Sequence, residues 1–194
     1  LFQRMQQLEL PGVEDLMPAY RSLLVIYDPL RTARHTLIHS ILACRRSAED
    51  DPEPTGTRLV VPVVYGGRYG PDLDTVARHN GLSPDEAVRL HTGAVYRVFM
   101  IGFSPGFPYL GPLPDALATP RRKNPRTRVA RGSVGIAEHQ TGIYSAESPG
   151  GWQIIGRTPM TLFDPHCQPP APLVMGDRVE FRAIDPEEYP NWKP

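Results

Sequence analysis

Cysteine is nearly missing from this chain: 194 residues carry only Cys44 and Cys167. The two lie far apart in sequence and form neither a metal-ligand spacing nor a redox pair. A reduced, cytoplasmic setting fits them best. Net charge is missing as well, because 21 Lys and Arg balance 21 Asp and Glu. No overall field therefore draws the protein to nucleic acid or to a membrane, and any electrostatic function has to come from local clustering. No apolar run reaches the length of a membrane span, and no signal peptide is recognisable. The Gly-x-x-x-x-Gly-Lys-Ser/Thr loop that cradles phosphates is absent. ATP binding by this chain alone thus lacks its usual signature.

Proline is abundant, with 23 residues, as is glycine, with 17. That much proline excludes a helical bundle and predicts many short strands and loops. Residues 1–10 read as the tail of a helix ended by Leu10-Pro11-Gly12. Two strands, 13–20 and 22–27, follow with a tight connection near Ala19. Thr32 then caps a helix to about Arg46 with Leu37, Ile38, Ile41 and Leu42 on one face. This helix–strand–strand–helix order is a fragment of a small α/β plait without its first strand. Since the chain opens on Leu1 rather than Met, a native N-terminus upstream is expected. The acidic, proline-containing stretch Glu49–Thr57 reads as a linker. The expected domains are therefore 1–52, small and α/β, and 57–194.

In the second part, a strand is expected at 58–65. Asp72 caps a short helix followed by Gly81. Ser83-Pro84-Asp85-Glu86 opens another with a capping box, and Gly93 ends it. Further strands are predicted at 94–101, 133–137, 153–156, 160–163 and 178–184, with a turn at Gly176-Asp177. Several short strands separated by turns suggest a closed β-barrel, giving an α+β chain. The stretch 102–152, rich in proline, glycine and aromatics, reads as an ordered, polar-lined surface built from loops.

Several patterns carry candidate chemistry. Six Arg and Lys fall between residues 121 and 131 with no acid among them. Either Glu138 or Glu147 balances this run, or it binds a carboxylate or phosphate, which paired guanidiniums suit well. Arg121, Arg126, Arg128 and Arg131 are the anion-binding candidates. On the anion reading, loss of Arg126 lowers activity and leaves stability nearly unchanged. His91, at the end of a helix, would be favoured as a cation by the helix dipole, and a capping or core-packing role is equally open to it. It joins His139, Arg126 and Gln140 as a catalytic candidate. Gly102-Phe103-Ser104-Pro105-Gly106 matches the nucleophile-elbow pattern, but Pro105 lacks the N–H that would complete an oxyanion hole. Ser104 is therefore read as structural. His35 and His39 have a helical spacing that zinc can use, but no third ligand accompanies them, so no metal site is expected. The rings of Phe103, Phe107, Tyr109 and Trp152, set among glycines, are candidates for a partner interface. Trp152 also suits a packing anchor.

Taken in order, several motifs resemble one known family. They are Val60–Gly67, Gly70-Pro71-Asp72-Leu73, His91-Thr92, Gly102–Leu110, Gly132–Ala137, Gln140–Tyr144 and Pro149–Gly156 with Thr158-Pro159. Together they resemble the KipI/PxpB family, also called allophanate hydrolase subunit 1, over about residues 13–185. The resemblance implies a cyclophilin-like barrel behind the α/β domain. It implies a partner of the PxpC/KipA family (allophanate hydrolase subunit 2) and, with a PxpA-like protein, an ATP-dependent 5-oxoprolinase that opens 5-oxoproline to glutamate. ATP would then be used at the level of the complex. Gln140, Thr141 and Tyr144 of the matching motif join the candidate substrate or anion site. Two further readings come with the family. One is a KipI-like inhibitor of a sensor histidine kinase. The other is an allophanate hydrolase subunit, which would need separate biotin-carrying proteins because no Met-Lys-Met motif occurs here. The chain departs from the family pattern at Ala130-Arg131, where Pro-Ala is usual. The slots of Ser104 and His139 are not reserved for those residues.

Overall fold

The computed structural model describes residues 1–48 and 56–192. The chain divides into two compact units, Leu1–Pro54 and Thr55–Pro194. Most of the stretch expected as a linker, residues 49–55, lies outside the described residues.

The first unit runs α1 (Phe2–Leu8), β1 (Val13–Pro18), β2 (Leu23–Tyr27) and α2 (Arg34–Ala48). β1 and β2 form an antiparallel hairpin, with Pro18 opposite Leu23 and the Ala19 N–H donating to the Ser22 carbonyl across the turn. Met5, Leu37 and Cys44 are its buried apolar side chains. The second helix starts one residue later than the sequence suggests. Thr32 does not cap it, because its hydroxyl donates to the Pro11 carbonyl instead. His35 and His39 are exposed on α2.

The second unit contains a closed seven-stranded barrel, as expected. It is built from β3 (Arg58–Tyr65), β4 (Val95–Ile101), β5 (Pro108–Gly111), β7 (Ser133–Ala137), β8 (Gln140–Ile143), β10 (Gln153–Arg157) and β11 (Arg178–Ala183). The strand order round the barrel is β10-β3-β11-β4-β5-β8-β7. Only the β3–β11 pairing is parallel, with Arg58 opposite Arg178 and Val63 opposite Ala183. Val61, Val63, Tyr96, Val98, Leu110, Ile136, Ile143 and Val179 are fully buried. They form a core shared with α3 (Leu73–His79) and α4 (Pro84–Thr92), which contribute Val76, Ala77 and Ala87. The capping box of α4 is present, with Ser83 and Glu86 each accepting from the other's backbone N–H.

A separate two-stranded ladder, β6 (Arg126–Val129) with β9 (Ser148–Gly150), stands outside the barrel. Phe107, Val129, Ala137, Tyr144, Trp152 and Ile154 form a second buried cluster. The stretch 102–152 is mostly loop, but it also holds the short strands β5 to β9. Four of those strands escape the sequence reading because proline or glycine interrupts their alternation, or because they are only three or four residues long. The two-stranded β6–β9 ladder, all edge, tolerates such residues. Conversely, residues 160–163 do not form a strand. Pro159 and Pro165 flank them, and the Met160 N–H turns back to the Thr158 hydroxyl.

Candidate functional site

The basic run does not stand free of acids. Asp72, at the start of α3, makes no side-chain cap of that helix. Its carboxylate turns instead toward β6 and β10. Arg126 donates to it in a fork, Nη1 to Oδ2 and Nη2 to Oδ1, each at 2.8 Å. Arg122 adds a third bond at 3.0 Å, and the Ile154 backbone N–H a fourth at 2.7 Å. The Asp72 side chain is only 5% exposed, against 25% for Arg126. A buried carboxylate is tolerated only when it is paired and hydrogen-bonded, and here four donors meet that demand. This overturns the reading of Asp72 as a cap. It also corrects the expectation for Arg126, which ties β6 to α3 and β10 and so bears on the fold as well as on any ligand.

The other expected anion ligands are dispersed. Arg128 is exposed and pairs with Glu147 at 2.7 Å, the balancing partner anticipated from sequence. Arg121 is exposed and lies with its guanidinium carbon 5.9 Å from the Trp152 ring. Arg131 donates to the Thr161 hydroxyl. Gln140 is half-buried at the start of β8. Thr141 and Tyr144 are buried, so neither presents its side chain to a soluble anion.

His91 is fully buried rather than poised as a cation. Burial pushes its pKa down to about 3, which outweighs any favour from the helix end. The hydrogen bonds fix its tautomer. The Thr141 hydroxyl donates to the Gly135 carbonyl at 3.0 Å, so it can only accept from His91 Nε2, also at 3.0 Å. Nδ1 then accepts from the Tyr65 hydroxyl at 2.8 Å, and burial keeps that phenol protonated. The imidazole also stacks on Phe181 with centroids 4.4 Å apart. Such a ring is a satisfied core group, cut off from bulk substrate. His139, by contrast, is exposed and lies 3.2 Å from the Asp115 carboxylate.

Ser104 has no base. Its Oγ lies 3.1 Å from the hydroxyl of Ser145, which itself donates to the Pro105 carbonyl at 2.6 Å. Among the four rings expected at an interface, Phe107 and Trp152 are buried at 1% and 5% exposure. They meet edge to face at 5.6 Å and serve the chain's own core. Tyr109 is half-buried, and Phe103 is 61% exposed. Phe103 also has φ of 66°, a left-handed conformation that bulky residues rarely adopt.

Two arginines missed in the sequence complete the basic face. Arg68 and Arg157 join Arg126 and Arg128 around a small cavity of about 130 Å³, with Tyr69 and Ser133 also in its wall. A larger cavity of about 440 Å³ shares Arg68, Tyr69 and Arg157 and adds Tyr189. Neither arginine belongs to the basic run, and only the barrel brings them beside it. The sequence signal that was available was Gly66-Gly67-Arg68-Tyr69-Gly70, a glycine-rich turn carrying a cation and an aromatic ring.

Comparison with known proteins places this geometry in a family. The model of the carboxyltransferase domain, subdomain C and D, matches residues 1–173. The chain is 42% identical to the B subunit of 5-oxoprolinase from Bacillus subtilis (strain 168) over 193 residues, covering 94% of this chain and 80% of that protein. It is 45% identical to the B subunit of 5-oxoprolinase from Escherichia coli O157:H7 over 175 residues, covering 89% of this chain and 79% of that one. The crystal structure of a conserved uncharacterized protein from Pyrococcus horikoshii superimposes with a TM-score of 0.66 at 42% identity, covering 96% of this chain and 86% of that chain. The chain therefore belongs to the carboxyltransferase subdomain C and D family and, within it, to the KipI/PxpB group.

Proposed function

We propose that this chain is the B-type subunit of an ATP-dependent 5-oxoprolinase, acting with PxpC/KipA-like and PxpA-like proteins to open 5-oxoproline to glutamate. The observation that carries this reading is its 42% identity to the Bacillus subtilis protein over 94% of the chain. The chemistry of the candidate site agrees with a shared active site. Opening an unactivated lactam requires phosphoryl transfer to the amide oxygen and then attack by water. The first step needs cations where negative charge develops. This chain supplies a face of fixed arginines for that task. Its buried histidine is neutral and sealed, which leaves the exposed His139, beside Asp115, as the remaining acid–base candidate. The exposed ring of Phe103 suits docking of the partner protein.

Reconstitution tests this reading. The purified chain is expected to show no ATP hydrolysis dependent on 5-oxoproline, and activity should appear on adding the two partner proteins. Robust turnover by the isolated chain would overturn the shared-site idea. Binding to a sensor histidine kinase, without binding to a PxpC-like protein, would replace it with the inhibitor reading. Activity on allophanate in place of 5-oxoproline would replace it with the hydrolase of the older family name.

A further inference from the structure

We propose that the small cavity between the Gly66–Gly70 turn, β6 and β10 is a binding site for a phosphoryl group, formed by this chain without help from a partner. Its wall carries four arginines, Arg68, Arg126, Arg128 and Arg157, although the chain as a whole has no net charge. Glu147 offsets Arg128, and Asp72 carries one charge against two guanidiniums, those of Arg122 and Arg126. Among the described residues, Arg68 and Arg157 take part in no ion pair. Among the described residues, the charges of Arg68 and Arg157 at this cavity are therefore left uncompensated.

The two unpaired arginines are held in place while keeping donors to spare. Arg157 gives Nε–H to the Arg131 carbonyl at 2.7 Å, which leaves both of its terminal nitrogens. Arg68 gives one Nη2 bond to the Tyr69 hydroxyl at 2.8 Å. Its guanidinium carbon lies 4.8 Å from the Tyr69 ring centre, and that of Arg157 lies 5.9 Å from the Tyr189 ring centre. The two rings pair with each other at 4.9 Å, so the four side chains support one another. Pre-ordered arginines lose less rotamer freedom when a ligand arrives. The turn beneath them is pinned too. A side chain at Gly70 would place its Cβ 1.9 Å from the Ile155 carbonyl oxygen, so only glycine lets the turn sit against β10.

The choice of phosphoryl over carboxylate follows from charge and size. Asp72 demonstrates on this same face that two guanidiniums and one backbone N–H already saturate one carboxylate. The cavity offers more positive charge than one carboxylate neutralises, and a compact dianion with three terminal oxygens matches it. About 130 Å³ accommodates such a group, and the adjoining larger cavity leaves room for whatever carries it. The source is either free phosphate or the phosphates of a nucleotide.

The test is titration of the full chain alone, so its outcome is separate from that of the reconstituted activity. Calorimetry and phosphorus NMR at constant ionic strength would use inorganic phosphate, magnesium-free ATP and acetate as probes. Phosphate and ATP are expected to bind and acetate not to compete. Arg157→Gln and Arg68→Gln should each weaken binding at least tenfold. Arg58→Gln, which removes a cation paired with Glu180 outside this cavity, should leave it unchanged. ATP displacing phosphate with higher affinity would identify a nucleotide as the source, and equal affinities would identify free phosphate. Should Arg157→Gln fail to fold, Arg68→Gln on the exposed turn carries the test. Competition by acetate as strong as by phosphate, no binding of either phosphate probe, or equal binding by the Arg68→Gln variant would overturn the proposal.

Discussion

Arg126 and Asp72 meet through two parallel hydrogen bonds of 2.8 Å each, across 54 positions of sequence. The carboxylate is the more buried partner and serves Arg122 and the Ile154 N–H as well. It is the node where the basic segment, α3 and β10 are joined, and its loss differs from the loss of any one of its donors.

Asp72→Ala should therefore destabilise the chain more than Arg126→Ala. Removing the acid leaves two guanidiniums and a backbone N–H without their acceptor, a change that costs about 3–5 kcal/mol for buried pairs. Removing Arg126 leaves Arg122 and Ile154 still bonded to the carboxylate, and about 2 kcal/mol is expected. Urea denaturation of the two variants measures the order. Equal stability of Arg126→Ala and the parent would restore a purely functional arginine.

The buried imidazole makes stability depend on pH. The folded pKa of His91 is about 3, below the ordinary value near 6.5 in the unfolded chain. Above about pH 6.5 both states carry a neutral ring. As pH falls below that, the unfolded state takes up a proton that the folded state refuses. Stability should drop by about 1.4 kcal/mol per pH unit until the folded pKa is reached. Between pH 6.5 and 5, where carboxylates contribute least, His91→Gln should flatten this slope. An unchanged slope in that variant would assign the dependence to other groups.

Ser104→Ala should keep activity of the reconstituted complex within about twofold, because among the described residues its side-chain partner is another hydroxyl, that of Ser145, and Pro105 provides no oxyanion donor. A loss of several orders of magnitude in a folded variant would reinstate a serine nucleophile.

Phe103 combines a left-handed backbone with a ring that is 61% exposed. Phe103→Gly relieves strain on the order of 1 kcal/mol while giving up edge contacts to Phe107 and Tyr144. The melting temperature of the isolated chain should change little. Affinity for a PxpC-like partner should fall at least tenfold, as for an aromatic anchor. Undiminished affinity would remove this ring from the interface.

The sequence by itself determined the elements whose signals are local. β3 and β7 fall at the predicted residues, as does the capping box of α4, because alternation and capping are read from neighbouring positions. The family was legible in the same way, from motifs that keep their order along the chain. The tertiary structure decided which charges meet. Asp72 looked like a cap because helix starts favour acids. The deciding fact was the approach of β6 and β10 to α3, which no local pattern encodes. Arg68 and Arg157 lie outside the basic run, and barrel closure brings them to the cavity that Arg126 and Arg128 share. Phe107 looked presentable among glycines, yet burial drew it into the core beside Trp152, whose fitness as a packing anchor the sequence indicates. Cationic and aromatic residue types reveal what chemistry a chain can perform. Which of them face solvent is fixed only by contacts between residues distant in sequence.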